Sequence, residues 1–489
     1  MVANVSRRGF LGAAATTGLG LLSGCGASSQ QAASSVKTAK LDPSNPTNIG
    51  VWHYYNGSQQ AAFDDLVNEF NTNAGKEKGI YVEAQSLGSV SDLEAAISDS
   101  LAGVVGSSDL PTIFFSYSDT AYTVQQAGKL AEVGQYFTAD ELSAYVEGYL
   151  KEGYLLDDDK LYLLPVAKST ETFMINVTDW EPFAAATGAT FEDLSTTEGV
   201  TKVAQSYHEW SGGRAFYGRD SMSNYFIIGM RQMGAELFDA ADGKVTLNLD
   251  RDKVRRLWDN YYVPYVNGWF KAAGKFRSDD VKTGEILAYA GSTASATYFP
   301  DQVTPDSDTA TTIGYKVLAA PIMEGGERVC VQQGAGMCVS ASDDEHEYAA
   351  VEFLKWFSEP ENNLRFVCQS SYLPVLKEAN TVEALDAAIK NNGLKVSDKT
   401  YDTLSLVMSS IEQETFYAAG CFENGSAARK VLDYNLSDKA AADRAAIEQA
   451  IAGGASAADA VAPYVTDDAF SSWFTVFKTA LESAIAGSK

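Results

Sequence analysis

The sequence predicts an α/β protein built around a mainly parallel sheet, and three observations lead to that class. Short apolar runs typical of buried strands alternate along the chain with amphipathic helical segments. Of 489 residues, 45% are hydrophobic and 11% aromatic, which is enough apolar material for a large packed core. No apolar run reaches the ~18 residues that a membrane-spanning helix needs.

The first predicted elements alternate regularly. In order they are a strand at 48–53, a helix at 58–71, a strand at 80–85, a helix at 91–102 and a strand at 112–116. In the first helix apolar residues recur at i, i+3, i+4 and i+7 from Phe63 to Phe70, and Ser58 is the expected N-cap. Parallel sheets bind ligands at the carboxyl ends of their strands, so a site is expected where the first and third strands end.

The later elements follow the same reasoning with less regular spacing. They are strands at 161–166 and 172–177, a turn and strand at 239–248, a helix around Val254, Leu257 and Trp258, a strand at 285–289 and a helix at 343–358. From about residue 402 the chain is predicted to be mostly helical, with Gly453 and Gly454 separating two helices.

Charge and motif content exclude several functions. Lys and Arg number 37 against 64 Asp and Glu, so the formal charge of −27 repels the phosphate backbone and no nucleic acid partner is expected. The three histidines lie far apart, and no serine-hydrolase, P-loop or zinc-protease motif occurs. The acidic cluster Asp157–Asp159 lacks EF-hand spacing and is interpreted as a solvated turn. No cofactor and no metal are therefore predicted.

Residues 1–24 are interpreted as an export signal. Arg7 and Arg8 precede a short apolar stretch, as in twin-arginine signals, although general secretion signals can also carry two arginines. Leu22-Ser23-Gly24-Cys25 resembles a bacterial lipobox, in which the thiol of Cys25 receives a diacylglycerol; a chance cysteine is the alternative. Residues 25–44 are expected to tether the protein to the outer face of the cytoplasmic membrane.

Four further cysteines follow: Cys330, Cys338, Cys368 and Cys421. Outside the membrane they can form disulfides, and a bridge between Cys330 and Cys338 across a tight loop is one interpretation. Buried free thiols are the other. No CxxC pair indicates metal binding or redox chemistry.

Five segments, in chain order, resemble landmarks of one protein family. They are an opening strand and helix at 48–71, a first crossing between lobes at 168–176, a hairpin at 242–246, a return strand at 333–336 and a final crossing at 371–375. On these segments the chain resembles an extracellular solute-binding protein of a bacterial ABC transporter, of family 1, in the sugar and glycerol-phosphate branch. The resemblance covers nearly all of the chain after the export signal.

The resemblance implies a two-lobe α/β fold of the periplasmic-binding-protein type (type II), with crossing strands and a ligand cleft between the lobes. Lobe 1 is expected at 45–165 and 325–370, and lobe 2 at 170–320 and 371–489. The implied function is to capture a carbohydrate, expected to be an oligosaccharide, by hinge closure and to deliver it to the ABC permease. The protein is expected to act as a monomer and not as an enzyme.

Nine residues are predicted to contact the sugar or polyol: Trp52, Tyr54, Tyr55, Tyr117, Ser169, Glu171, Ser292, Gly334 and Tyr372. The first four are aromatic residues at predicted strand ends, where rings suit the C–H faces of a sugar; core packing is the alternative for each. The resemblance supplies Ser169, Ser292, Gly334 and Tyr372, and Glu171 is added because its carboxylate can accept hydrogen bonds from sugar hydroxyls. For Glu171 a hinge salt bridge is the alternative to a ligand contact.

Two other functions stay open. Glycerol-phosphate-binding members of the family carry an arginine in the late helical region, at a position that aligns here with Cys421 or Phe422. Arg429 lies eight residues beyond Cys421, so a neutral oligosaccharide is favoured over glycerol 3-phosphate or a glycerophosphodiester. An anchored glycosidase or adhesin is the alternative from another class, because 64 acidic residues can supply the two carboxylates of a glycosidase.

Overall fold

The computed structural model describes residues 36–156, 159–241, 244–306, 309–411 and 413–487, without the side chain of Asn392. The predicted export signal, the lipidation site Cys25 and the first part of the predicted tether lie outside the described residues. So do Asp157 and Asp158 of the acidic cluster and the turn residues Asp242 and Gly243.

Fifteen strands lie within the described ranges: β1 (Thr47–His53), β2 (Ile80–Ser86), β3 (Ile113–Ser116), β4 (Leu163–Leu164), β5 (Glu171–Asn176), β6 (Tyr217–Arg219), β7 (Phe238–Ala241), β8 (Lys244–Leu247), β9 (Ala288–Ser292), β10 (Gln302–Val303), β11 (Thr311–Thr312), β12 (Tyr315–Ala319), β13 (Val329–Val331), β14 (Gly336–Val339) and β15 (Thr415–Tyr417).

The same ranges contain eighteen α-helices: α1 (Gly57–Thr72), α2 (Ala74–Lys78), α3 (Val90–Ala102), α4 (Ser118–Gln126), α5 (Ala139–Ala144), α6 (Glu147–Lys151), α7 (Val177–Thr187), α8 (Thr197–Trp210), α9 (Met222–Gln232), α10 (Arg251–Val266), α11 (Arg277–Lys282), α12 (Asp344–Ser358), α13 (Pro360–Ser370), α14 (Val382–Asn392), α15 (Asp398–Ser410), α16 (Gly425–Ala452), α17 (Ala457–Val461) and α18 (Asp467–Ile485).

The first large sheet has the strand order β2-β1-β3-β14-β4. β1 pairs in parallel with β2 and β3, whereas β14 is antiparallel to both β3 and β4. Apolar side chains of these strands pack against α1, α12 and α13, with Phe63, Phe357 and Phe366 fully buried. We call the part of the chain around this core the first lobe.

The second large sheet has the order β12-β5-β9-β6. Only β6 and β9 pair in parallel there, since β5 is antiparallel to both β9 and β12. Its core includes α8, α9, α10, α16 and α18, with Trp258 and Phe477 fully buried. We call this part the second lobe. The prediction of a mainly parallel sheet is therefore corrected: both sheets are mixed.

One strand in each sheet runs against the others, and its origin explains why. β5 follows the segment 168–170 that leaves the first lobe, and β14 follows the segment 333–335 that leaves the second. A strand that comes from the opposite lobe begins at the edge of the sheet where the parallel strands have their carboxyl ends, so it runs in the opposite direction to them. It therefore pairs antiparallel, which needs no helical crossover connection.

Three chain segments run side by side where the lobes join. The backbone groups of Lys168 and Leu373 exchange hydrogen bonds of 3.0 and 2.5 Å, and those of Ser169 and Gln333 exchange bonds of 2.9 and 2.8 Å. These contacts belong to the first crossing, the final crossing and the return strand named from the sequence. The boundaries given there for the two lobes stay a prediction.

Helices α13, α14 and α15 form a smaller apolar core of their own around Leu364, Leu385 and Leu404. At the other end of the described chain, residue 37 is held to the first lobe. The Lys37 backbone N–H donates to Gln135 at 2.9 Å, and its ammonium group lies 2.7 Å from Asp344. The part of the predicted tether that the structure describes is therefore in contact with the lobe.

Most predicted elements form within one or two residues of their expected bounds. Helix α1 begins at Gly57 with Asn56 rather than Ser58 as its N-cap. The strand predicted at 161–166 shortens to Leu163–Leu164. Residue Val177 begins α7, because Asn176 caps that helix by accepting a hydrogen bond from the Asp179 N–H at 3.2 Å. The strand predicted at 285–289 starts at Ala288.

The four described cysteines are free thiols. Cys330 lies on β13 and Cys338 on β14, paired with different neighbouring strands, so the bridge between them does not form. Burial raises the pKa of the Cys368 thiol to about 11 and of the Cys421 thiol to about 12. None of the helices in the described ranges combines the length and apolar composition of a membrane span.

Candidate functional site

A cleft of about 260 Å³ lies between the two lobes. The first lobe contributes the start of α3, the segment Tyr117–Asp119 after β3, and Glu152. The second lobe contributes the start of α9, the segment after β15 and one face of α16, and residues 331–333 lie beside the crossings. The carboxyl end of β3 therefore opens into this cleft, as expected for parallel strands.

Among the described residues, six charged side chains line the cleft, and most of them are paired within the protein. The acids are Glu94, Asp119, Glu152 and Asp433, and the bases are Arg429 and Lys430.

The Asp119 carboxylate of the first lobe and the Arg429 guanidinium of the second form an ion pair, with Oδ2 and Nε 2.5 Å apart. Glu152 accepts hydrogen bonds from the buried Lys168 ammonium at 2.6 Å and from the Gln332 side-chain amide at 2.7 Å. The Ser223 N–H, at the start of α9, donates to Asp433 at 2.7 Å. The cleft is thus polar, with its charges held by neighbouring side chains.

The pKa values in the cleft follow from burial and pairing. Burial raises the pKa of the Glu94 carboxyl above its ordinary value, although Lys430 opposes the shift. Burial likewise raises the pKa of Asp433, against the opposing hydrogen bond from the Ser223 N–H. For Arg429, burial acts to lower the pKa, but the charge of Asp119 outweighs it and the pKa rises.

Three tyrosines border the cleft: Tyr117, Tyr417 and Tyr434. Tyr117 is partly buried at the end of β3, and burial raises its pKa well above the usual range. The Tyr417 hydroxyl donates to Glu236 at 2.7 Å, whereas Tyr434 is 59% exposed on α16. Beside them the Gln333 side-chain oxygen is buried without a hydrogen-bond partner among the described residues. Rings next to planar amides suit a ligand with hydroxyl groups and C–H faces.

Of the nine predicted ligand residues, all within the described ranges, Tyr117 alone lines this cleft. The others fall into three groups: rings in the first core, residues at the crossings, and a carboxylate beside a second cavity.

Three of the predicted rings belong to an aromatic cluster in the first core. Tyr54, Tyr55 and Tyr372 are at most 8% exposed. The Tyr54 and Tyr372 hydroxyls lie 3.2 Å apart, and the Tyr55 ring packs edge-on against Phe115 with centroids 5.0 Å apart. Trp52, on β1, is partly buried against the same core. These four rings contact the first core, and none of them lines the cleft.

The predicted residues at the crossings make contacts within the protein. Ser169 pairs with Gln333 through its backbone, and the carbonyl of Gly334 accepts a hydrogen bond from the Lys168 ammonium at 2.6 Å. Ser292 caps the short helical turn that follows β9, where its hydroxyl accepts the Ala294 N–H at 3.3 Å. Each of these residues is held by contacts within the protein, and none of them lines the cleft.

Glu171 lies beside a second, larger cavity of about 420 Å³. Its carboxylate accepts hydrogen bonds from Arg219 at 2.8 Å and from Asn224 at 3.0 Å, both within the second lobe. This cavity is bounded by β5, β12, β13, α9 and α15, without residues of the first sheet. Closure of two lobes on a solute requires walls from both, so we take the smaller cleft as the candidate site.

Most of the residues that line the cleft were not identified from the sequence. On α16 the lining residues are Ser426, Arg429, Lys430, Asp433 and Tyr434. They recur at i, i+3, i+4, i+7 and i+8, which places them on one face of a helix. This helical spacing of polar residues and one tyrosine is the sequence pattern that could have indicated the cleft wall. Cys421 and Phe422, which align with the arginine of the glycerol-phosphate-binding members, are both buried. Arg429 and Lys430 nevertheless line the cleft. The lack of a basic residue at the aligned position therefore does not exclude an anionic ligand.

Within the described residues no group of three or more His, Cys, Asp or Glu side chains is arranged to hold a metal ion.

The model of the family described as bacterial extracellular solute-binding protein matches residues 65–396, about two thirds of the chain. The chain belongs to this family of substrate-binding components of ABC importers, which bind solutes outside the cell and are not enzymes. No protein with a curated description matches the chain in sequence.

Several solved structures share the fold. The cyclic α-maltosyl-1,6-maltose binding protein from Arthrobacter globiformis is 19% identical, with a TM-score of 0.60 over 91% of this chain and 100% of that one. UgpB from Mycobacterium tuberculosis, in complex with glycerophosphocholine, is 17% identical with a TM-score of 0.64 over the same shares. The ABC substrate-binding protein Lmo0181 from Listeria monocytogenes, in complex with cycloalternan, is 16% identical with a TM-score of 0.63, again over 91% and 100%. The predicted α/β solute-binding fold is confirmed.

Proposed function

We propose that this protein captures a neutral oligosaccharide in the cleft between its lobes and delivers it to the permease of an ABC importer. The observation that carries the proposal is the lining of the cleft. Tyr117, Tyr417 and Tyr434 offer rings, the amides of Gln332 and Gln333 offer planar polar groups, and Asp119 already pairs with Arg429.

The pairing of charges favours a neutral ligand for an electrostatic reason. Four acids and two bases line the cleft, so its described side chains carry a net negative formal charge. A ligand without charge avoids repulsion by the acids and still finds many hydrogen-bond partners. Two of the structural relatives are described with oligosaccharides, cycloalternan and cyclic maltosyl-maltose, which agrees with this choice.

A glycerophosphodiester or glycerol 3-phosphate is the second candidate, on a specific observation. Arg429 and Lys430 both line the cleft, and UgpB, which shares the fold, is described in complex with glycerophosphocholine. The glycosidase alternative is not retained, because the family binds solutes without converting them.

Thermal unfolding of the purified protein against a ligand panel tests the proposal. The panel contains neutral mono- and oligosaccharides, polyols, glycerol 3-phosphate and glycerophosphocholine. A ligand at 100 times its dissociation constant adds about 2.7 kcal/mol to the free energy of unfolding, which raises the melting temperature measurably. We expect a rise with an oligosaccharide that is recovered intact. A rise with the phosphate compounds alone would establish the second candidate.

A matched pair of variants localises binding to the cleft. Tyr434→Ala removes a ring that is 59% exposed at the cleft, and Tyr81→Ala removes one that is 45% exposed on β2, away from it. We expect the first to weaken oligosaccharide binding at least tenfold and the second to leave it unchanged, with similar melting temperatures without ligand. Equal affinities in both variants would place the ligand elsewhere.

We further propose that the protein is held on the outer face of the cytoplasmic membrane through a lipid on Cys25, works as a monomer and binds the transmembrane subunits of its permease. The lipobox-like segment Leu22–Cys25 supports the anchor. The family supports the extracellular site of action and the permease partner.

A further inference from the structure

We propose that Asp119 is a specificity-determining residue: it neutralises Arg429 and thereby restricts the cleft to uncharged ligands. This inference rests on the proposed function, since it concerns the class of solute that the cleft accepts. It assigns to the first lobe a residue that controls Arg429, which among the described residues is the arginine that the second lobe contributes to the cleft.

Asp119 occupies the Nε side of the Arg429 guanidinium, next to the start of α16. Its Oδ2 atom accepts a hydrogen bond from Arg429 Nε at 2.5 Å, and its Oδ1 atom accepts one from the Phe422 N–H at 3.4 Å. A Cβ atom added to Gly425, the first residue of α16, would lie 2.2 Å from Oδ1. The carboxylate therefore rests directly on the backbone at the start of this helix, where partial positive charge favours anions.

Burial makes the neutralisation effective. The Asp119 side chain is 3% exposed and that of Arg429 is 28% exposed. A charge pair shielded from water interacts more strongly and is screened less by salt than a surface pair. An anionic ligand at the terminal nitrogens of Arg429 would lie beside the buried Asp119 carboxylate and would be repelled by it.

The surrounding charges act in the same direction. Glu94, Glu152 and Asp433 line the same cleft and repel a second anion, while Lys430 is the remaining base in the lining. Yet the terminal nitrogens of Arg429 have no hydrogen-bond partner among the described residues. They are thus available to donate to the hydroxyl groups of a neutral ligand.

Calorimetric titration of the full chain with sn-glycerol 3-phosphate and with inorganic phosphate tests this assignment. We expect Asp119→Asn, which keeps the shape of the side chain and removes its charge, to bind glycerol 3-phosphate at least tenfold more tightly than the unmodified protein. The double variant Asp119→Asn with Arg429→Gln should lose that gain. Glu482→Gln, on α18, removes one exposed negative charge away from the cleft and should show no gain.

Gly425→Ala provides a second route if Asp119→Asn does not fold. The added methyl group displaces the carboxylate from the helix while both charges remain, so affinity for glycerol 3-phosphate should again rise. The assignment is overturned if folded Asp119→Asn binds the anion no more tightly than Glu482→Gln, or if the double variant keeps the gain. Tight binding of glycerol 3-phosphate by the unmodified protein would overturn it as well.

Titration of the same variants with the oligosaccharide, beside the titrations with the anions, separates this inference from the proposed function. A neutral oligosaccharide that binds the unmodified protein, without any gain of anion affinity in Asp119→Asn, leaves the function intact and removes the role of Asp119. Absence of oligosaccharide binding, with a gain for anions in Asp119→Asn, removes the proposed ligand and supports the role of Asp119.

Discussion

At the scale of single residues, His53 is a buried base without a hydrogen-bond partner. It is fully buried at the end of β1, and both of its ring nitrogens lack partners among the described residues. Its ring packs edge-on against Phe63, with centroids 4.9 Å apart. Burial lowers its pKa from 6.5 to about 4, because the charged imidazolium is poorly solvated among aromatic rings.

This burial predicts a loss of stability in acid. The folded pKa lies below the unfolded value, so the unfolded chain binds the proton first, and stability falls as the pH drops from about 6.5 towards 4. The shift corresponds to at most about 3.5 kcal/mol at roughly 1.4 kcal/mol per pKa unit. The free energy of unfolding, measured with urea, should fall less between pH 7 and pH 4.5 in His53→Leu than in the unmodified protein. An identical difference in both would show that His53 does not contribute.

At the scale of elements, the crossing segments depend on one glycine conformation. Gly334 has φ = +91°, and a Cβ atom there would lie 2.7 Å from the Ala167 carbonyl oxygen on the first crossing. The close approach lets the Gly334 carbonyl accept the buried Lys168 ammonium at 2.6 Å. Two crossings are thus tied together at a point where only glycine fits.

We predict that Gly334→Ala is destabilised by about 2 kcal/mol or more and binds solute more weakly, since the left-handed conformation alone costs ~1–2 kcal/mol in a residue with a Cβ atom. Gly188→Ala is the matched control: its φ is +78°, at the end of α7, and an added Cβ there meets nothing within 4 Å. Gly188→Ala should lose only the stability that the left-handed conformation costs, and its affinity for the solute should not change. Chemical unfolding and calorimetry measure both quantities, and equal losses in the two variants would contradict a special role for the hinge.

At the scale of the whole molecule, the location of the protein is proposed to depend on one cysteine. Cys25 follows the lipobox-like residues, and the described chain begins eleven residues later at Val36. Two or more acyl chains are needed for stable membrane attachment, as bacterial lipoproteins carry.

Cys25→Ala should therefore move the protein from the membrane fraction to the soluble exported fraction. Cys330→Ala, which removes a half-buried thiol on β13, should leave it in the membrane fraction. Cell fractionation followed by mass measurement of the N-terminal peptide distinguishes the two. A Cys25→Ala protein that still sediments with membranes would contradict the lipid anchor.

The sequence by itself determined the class of the protein and most of its elements. The helical period from Phe63 to Phe70 and the alternation of buried and more exposed residues along β1 are local patterns, which each segment carries in its own sequence. Short segments in the right order, such as 168–176 and 371–375, indicated the family before any contact between them was known.

Only the tertiary structure decided which side chains face the ligand cleft. Tyr54 and Tyr117 both follow strand ends, yet one packs in the core and the other lines the cleft. Asp119 and Arg429 are 310 residues apart and meet only because the two lobes face each other. A sequence pattern reports the periodicity of one element, whereas a cleft is formed by the relative placement of several, and that placement depends on long-range packing.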